Sequence, residues 1–303
     1  MKKSILLLAS LMFLATFTSC FKDKEGEYKP KEKISRIYKD YGYGDGKELR
    51  EIWTWDKKQL QRIDHYYDGD LSWSEEFTYN KKGQIERVDC YEDGEYTEYT
   101  YDGGKLSKAT YYDNGSIDEE YTFKHDGNKI TEIEISNFYK KGSRDNSRLR
   151  KEGYNPLRIL LPENNYQTLV KVIENNPASR GMITVKLEWE KKNVSKIEVT
   201  NGSYNRSVEL KYDDKLNPLK NFFSLYPDEA FYDEGDNSLS KNNVVEELFI
   251  DEDGETEIYK YSYEYDGKFP TVQRYTYEDY DWDEDEYEYY TVLVTVSTYY
   301  EYE

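Results

Sequence analysis

Along residues 34–303 the polar and apolar positions alternate with a period of two. They do so in a unit that repeats. Trp53-Thr54-Trp55-Asp56 leads through a charged turn to Leu60 and Ile63. Phe77-Thr78-Tyr79-Asn80 leads through Gly83 to Ile85 and Val88, and Tyr99-Thr100-Tyr101-Asp102 through Gly104 to Leu106 and Ala109. Tyr121-Thr122-Phe123 leads through Asp126-Gly127 to Ile130 and Ile133, so the second aromatics fall at 55, 79, 101 and 123, spaced 24, 22 and 22. After a break the pattern resumes. Leu187-Glu188-Trp189 precedes Val194 and Ile197, Leu210-Lys211-Tyr212-Asp213 precedes Leu219, and Tyr263-Glu264-Tyr265-Asp266 precedes Val272. Ile34-Ser35-Arg36-Ile37 reads as the second half of a truncated first unit.

Each unit predicts a hairpin. Aromatics two apart lie on one face of a strand and the Thr or Glu between them on the other. Asx-Gly pieces supply the positive φ of a tight turn. The second strand continues as Ile63, His65, Tyr67, or Val88, Cys90, and a second turn such as Asp68-Gly69 or Asn114-Gly115 returns the chain. The apolar-x-x-apolar spacing is odd, so those two side chains share a face only if the first tucks under the turn or a bulge intervenes. One apolar face must be covered. The expected fold is therefore all-β, an antiparallel meander of hairpin repeats in a curled or shell-like sheet.

The phrase Tyr99-Thr100-Tyr101-Asp102-Gly103-Gly104-Lys105-Leu106 resembles the YD repeats of bacterial Rhs-type and teneurin-like β-shells. Tyr212-Asp213-Asp214-Lys215-Leu216-Asn217-Pro218-Leu219, followed by Ser240-Lys241-Asn242-Asn243-Val244, resembles an uncharacterised domain family of Bacteroidetes lipoproteins. Neither resemblance supplies catalytic residues.

The first residues have a separate logic. Lys2 and Lys3, an apolar run from Ile5 to Phe17, and Thr18-Ser19-Cys20 have the three-part form of an export signal. Phe17-Thr18-Ser19-Cys20 resembles the lipobox of bacterial lipoproteins, which implies cleavage after residue 19 and lipidation of Cys20. Phe21 stands where inner-membrane retention signals carry Asp, so the resemblance implies the outer membrane or cell surface. The charged stretch 20–33 reads as a flexible tether. Residues 34–303 read as the β-repeat domain, with halves 34–142 and 181–303 around an irregular insertion, 143–180. Within that insertion Tyr166–Ile173 reads as a short helix. A second interruption, 220–243, holds Phe222, Phe223, Leu225 and Tyr226 and reads as a plug for an open end of the sheet.

Composition narrows the partners. The chain carries 42 Lys and Arg against 62 Asp and Glu, a net charge of −20 that falls to −22 without residues 1–19. A field of that sign repels nucleic acid and anionic membrane surfaces. Thirty-four tyrosines suit a half-buried pleated surface, with apolar rings and hydroxyls that tolerate water. With Cys20 lipidated, only Cys90 remains, a small residue on the core side of a strand.

No catalytic, phosphate-cradling or dinucleotide motif is present. Of the two histidines, His65 sits in a strand between Ile63 and Tyr67 and His125 in a turn. Neither has a partner at metal-ligand or catalytic spacing, and both read as structural. The run Asp279–Glu288 carries seven carboxylates in ten residues, enough oxygens for calcium in number. It lacks EF-hand spacing, as does Asp251-Glu252-Asp253-Gly254, and reads as a solvated, loose hairpin loop. No cofactor and no metal are expected. The expected function is a lipid-anchored, non-catalytic envelope module that binds a glycan or a protein. A structural spacer without ligand and a glycan-active enzyme are the alternatives.

Overall fold

In a computed structural model the chain forms one closed barrel of 16 antiparallel strands. The structure describes residues 25–90, 94–137, 182–201, 204–222, 238–250, 253–283 and 288–303. In chain order the strands are β1 (Ile34–Asp40), β2 (Glu48–Asp56), β3 (Gln59–Tyr67), β4 (Asp70–Tyr79), β5 (Ile85–Cys90), β6 (Glu95–Asp102), β7 (Lys105–Asp113), β8 (Ser116–Asp126) and β9 (Lys129–Asn137). They continue as β10 (Ile183–Glu190), β11 (Asn193–Asn201), β12 (Tyr204–Tyr212), β13 (Val244–Ile250), β14 (Thr256–Asp266), β15 (Phe269–Asp283) and β16 (Glu288–Tyr302). Every strand pairs with its neighbours in sequence, and β1 pairs with β16 to close the ring. The expected curled sheet thus has no free edge, the most complete solution to the edge-strand problem. β9 pairs directly with β10, so the strands on either side of the insertion belong to one continuous wall.

The odd apolar spacing is resolved by bulges. Trp53 faces Ile63 and Thr54 faces Arg62, but Trp55 faces Leu60, which leaves Gln61 as the extra residue. Leu60 and Ile63 therefore both point inward and are fully buried. The same shift recurs between Thr78 and Tyr79, Thr100 and Tyr101, Glu188 and Trp189, and Lys211 and Tyr212.

Inward positions form one continuous core, from Leu60, Ile85, Leu106, Ile130 and Val194 at one end, through Trp53, Phe77, Tyr99 and Leu187, to Ile135 and Val199 nearer the other. The outward positions carry charge. Arg62 contacts Asp64 at 2.6 Å and Glu76 at 3.0 Å, Lys124 contacts Glu132 and Glu134 at 2.6 and 2.7 Å, and Lys211 contacts Glu246 at 2.6 Å.

The two ends of the barrel differ. At one, which we call the closed end, residues 25–33 and 213–222 and 238–243 pack across the opening. The stretch expected to be a flexible tether is in fact part of the fold from residue 25 onward. Tyr28 is buried against Trp53, Trp55 and Phe222, with ring centroids 5.0–6.2 Å apart, and its hydroxyl donates to the Pro218 carbonyl at 3.0 Å. Gly26 sits at φ +72°, and a Cβ there would lie 1.9 Å from the Tyr101 hydroxyl, so only glycine fits. Phe222 and Leu239 are buried in the same layer, as expected of a plug, while residues 223–237 lie outside the described residues.

Candidate functional site

The opposite, open end is ringed by the β1–β2 loop, the Asp68-Gly69 and Asn114-Gly115 turns, and the chain segments that flank 138–181 and 284–287. Just inside it the lumen becomes polar on one side. Lys39, Arg50, Glu51, His65, Glu75 and Thr97, from β1 to β6, are all buried. His65 faces inward beside Glu51 and stacks on Trp73, with centroids 3.5 Å apart and planes at 11°. Its Nδ1 is 3.5 Å from Glu51 and its Nε2 3.8 Å from Glu75. The two carboxylates favour a charged imidazole, but neither is in hydrogen-bond contact. Complete burial, and after it the Arg50 guanidinium, outweigh them and hold the His65 pKa well below its ordinary value. Glu51 instead accepts the Trp53 indole N–H at 2.5 Å. This arrangement orders the wall and leaves His65 with 2% of its surface exposed, so it offers no entry to a substrate.

His125 lies at the closed end, where its Nε2 meets the Glu25 carboxylate at 2.9 Å, and Glu25 also accepts the Leu106 amide N–H at 2.6 Å. Cys90 is buried on the inward side of β5. Cys20 and the short helix read at 166–173 lie outside the described residues. Among the described residues no group of three His, Cys, Asp or Glu is placed to hold a metal ion. The acidic run departs from expectation. In place of the expected loose loop, Asp279–Asp283 belong to β15 and pair with Glu288–Val292 of β16. The long aromatic register that precedes it carries the ladder past the barrel wall.

The large apolar side chains that remain exposed gather at the open end. Tyr43 (61% exposed) lies in the β1–β2 loop, and Tyr67 (57%) and Leu71 (50%) flank the Asp68-Gly69 turn. Ile117 follows the Asn114-Gly115 turn, Met182 precedes β10 and Ile258 is near the start of β14. Leu293 lies in the part of β16 beyond its last pair with β1, Asp40–Ser297. The sequence pattern does not announce this rim, because exposure here is set by which turn closes which end, and each strand pattern alone is silent on that.

Charge of both signs is exposed at the closed end, where Lys57, Lys58, Lys81, Lys82, Lys191, Lys192, Lys268, Lys29 and Lys31 alternate with Glu32, Asp56, Asp102, Asp126, Glu190, Asp214, Asp266 and Glu303. The open end exposes Asp45, Lys47, Asp68, Asp70, Asp253, Glu255 and Glu257.

No protein-family model matches the chain, and no curated protein matches it. Among solved structures it is similar to a porin-like protein from Bacteroides uniformis, at 12% identity and a TM-score of 0.49, over 89% of this chain and 98% of that one. It is also similar to a porin-like protein from Bacteroides vulgatus, at 9% identity and a TM-score of 0.47, over 90% and 99%. A transmembrane barrel turns an apolar band about 25 Å tall toward lipid and keeps its polar side chains inside. Here the described strands do the reverse, with ion pairs outward and the apolar core inward. Each outward Arg or Lys would cost ~2–4 kcal/mol at the bilayer midplane. This wall is built for water, and contact with a membrane is left to the ends.

Proposed function

We propose that this chain is a lipid-anchored, non-catalytic protein of the outer membrane or cell surface, whose open end binds a protein or a glycan. The observation that supports this reading is the polarity of the barrel. The N-terminal segment enters at the closed end, and the large exposed apolar side chains lie at the other. A chain tethered through Cys20 would therefore hold its closed end near the membrane and turn the rim outward. Between Cys20 and Glu25 the chain spans at most ~18 Å, since an extended residue covers ~3.3–3.6 Å. The rim mixes two tyrosines with leucine, isoleucine and methionine. Tyrosine anchors both sugars and proteins, but aliphatic side chains do not stack on sugar rings, so a protein ligand is favoured over a glycan.

Two measurements test this. Cys20→Ala should move the protein from the membrane fraction to the soluble fraction, and equal retention would defeat the anchor. The mature chain should capture a partner in an outer-membrane cross-linking experiment or on a glycan array, and Tyr43→Ser with Tyr67→Ser and Leu71→Ser should abolish that capture. Capture that survives the triple substitution would exclude the rim, and absence of any ligand would favour a structural spacer.

A further inference from the structure

The paired strands β15 and β16 run past the barrel wall, and the direction of the β16 backbone there can be worked out. The Glu303 N–H donates to the Lys33 carbonyl at 2.9 Å, on the β1 side. On that side too, Gly42 lies so close to Thr295 that a Cβ would collide with the Thr295 carbonyl oxygen. N–H and C=O alternate in direction along an antiparallel strand, so the odd-numbered residues of β16 aim theirs away from β15. The last pair with β1 is Asp40–Ser297, and the loop at Gly42 covers Thr295. Beyond it the N–H and C=O of Leu293 and Thr291 point out of the sheet, where no described strand pairs with them.

We propose that this edge of β16 is a strand-addition site for an extended, cationic segment of a partner protein. The inference rests on the reading that the open end binds a protein, and it names the partner's chemistry and its mode of pairing. The run Tyr289–Val296 is aromatic, β-branched and aliphatic, with no charge and no proline. Natural edges carry those residues to discourage pairing, and this one does not. Thr291 and Leu293 are exposed, Leu293 by 72%. The neighbouring strand is the opposite case. β15 reads Glu278-Asp279-Tyr280-Asp281 where it faces this run, so its own edge is charged against pairing. The same charge selects the occupant of the β16 edge. Leu293 pairs with Glu278, which is exposed, and Asp45 is exposed three residues beyond Gly42 in the covering loop. The nearby Lys47 is held over the Tyr38 and Tyr299 rings, at 4.2 and 4.6 Å. A second copy of this chain would bring a second acidic ribbon to the edge, whereas a basic strand is attracted to it. Main-chain hydrogen bonds then supply affinity and alternate side chains supply specificity. A third strand also relieves the marginal stability of a two-stranded ribbon.

The test uses the mature chain with Cys20→Ser and the fluorescence anisotropy of short labelled peptides. A peptide of alternating lysine and valine should bind. A peptide of alternating glutamate and valine should not, nor should the lysine peptide with its backbone nitrogens methylated, which keeps the side chains and removes the donors. Leu293→Pro removes an N–H that faces the open edge and leaves the ladder to β15 intact, the one setting in which a strand tolerates proline. It should lower affinity about tenfold with little change in the urea midpoint. Leu293→Lys keeps the N–H but repels a cationic strand, and it should weaken binding even if the proline variant folds poorly. Binding of neither peptide, equal binding of both, binding that survives methylation, or binding indifferent to both substitutions would overturn the proposal. So would slow amide exchange at Thr291 and Leu293 in the free chain, which would mean that the chain covers its own edge. A dimer in sedimentation that Leu293→Pro dissolves would give the edge to a second copy and overturn it as well. A partner captured through Tyr43, Tyr67 and Leu71 but indifferent to Leu293→Pro would overturn this inference alone. Peptide binding that needs Leu293 but none of those three would keep the edge and exclude the rest of the rim.

Discussion

The Tyr79 hydroxyl donates to the Leu60 carbonyl across the β3–β4 pair at 2.7 Å, beside the bulge that follows the preceding turn. The contact is a rule of the repeat. Tyr101 reaches Ile85 at 2.6 Å, Tyr212 reaches Val194 at 2.6 Å and Tyr263 reaches Val244 at 2.7 Å, while the indole N–H groups of Trp55 and Trp189 reach Ile34 and Ile130 at 2.7 Å. The second aromatic of most units, and the first, Tyr263, in the unit that ends at Asp266, thus has two functions. Its ring fills the closed end, and its polar tip satisfies the carbonyl of the residue that opens the neighbouring strand.

Tyr79→Phe keeps the ring and removes the donor. We expect a loss of about 1–3 kcal/mol, the range for leaving a half-buried acceptor unpaired, in urea unfolding with an unchanged slope. Position 123 is already phenylalanine in its unit, so Phe123→Leu should cost only packing. A Tyr79→Phe variant as stable as the parent would show that the ring alone matters.

The latch at the closed end makes a larger claim. Tyr28 joins Trp53, Trp55 and Phe222, and the Ile85 amide N–H donates to the Gly26 carbonyl at 2.8 Å. Tyr28→Ala should cost about 3–5 kcal/mol, as for other large buried aromatics. Tyr28→Phe should cost about 1 kcal/mol, the Pro218 hydrogen bond alone. A small effect of Tyr28→Ala on the denaturant midpoint would return residues 25–33 to the status of a tether.

This latch marks the limit of what the sequence makes legible. Trp53, Ile63, Phe77 and Val88 announce strands and their inward face through simple alternation, and the apolar-x-x-apolar spacing announces the bulge. Tyr28 stands alone among Lys, Glu, Gly and Pro, so local composition argues for a solvated segment. Its burial is decided by a cavity between distant strands, and nothing near it in sequence encodes that cavity. Closure is likewise illegible: the pairing of Ile37 with Tyr300 is a contact between the two ends of the repeat domain, and either strand would look the same at the edge of an open sheet. The inward position of His65 is legible from the alternation, but Trp73, Glu75 and Arg50 around it are not, because they come from other strands.

The His65 site predicts acid sensitivity. In the unfolded chain the imidazole titrates near 6.5, and in the fold burial and Arg50 hold it well below that. Between those values the unfolded state binds the additional proton. Stability should therefore be full above about pH 6.5 and fall as pH drops below it, by up to ~1.4 kcal/mol per pH unit until the folded pKa is reached. Replacing the imidazole by a ring that still stacks on Trp73, His65→Phe, removes this component. Urea unfolding at neutral and mildly acidic pH should show the parent losing more stability than the variant. Equal losses would mean that carboxylates such as Glu51 and Glu75 dominate the acid response.

The acidic ribbon raises the last question. Beyond the Tyr261–Tyr275 pair on one side and the Asp40–Ser297 pair on the other, β15 and β16 pair, among the described residues, only with each other, and their ladder runs on to Asp283–Glu288. A lone two-stranded ribbon is marginal in water. This one carries seven carboxylates between Asp279 and Glu288, and like charges on neighbouring positions destabilise it further. Water and salt screen such charges over ~8 Å at physiological ionic strength. Amide exchange at 279–283 should therefore slow as sodium chloride is added, and calcium and magnesium at matched ionic strength should slow it equally. Asp281→Asn with Asp283→Asn should give the same protection without salt and remove the salt dependence. If calcium alone protected these amides, and the double substitution abolished that protection, screening would be the wrong account and the ribbon would have to hold a specific ion.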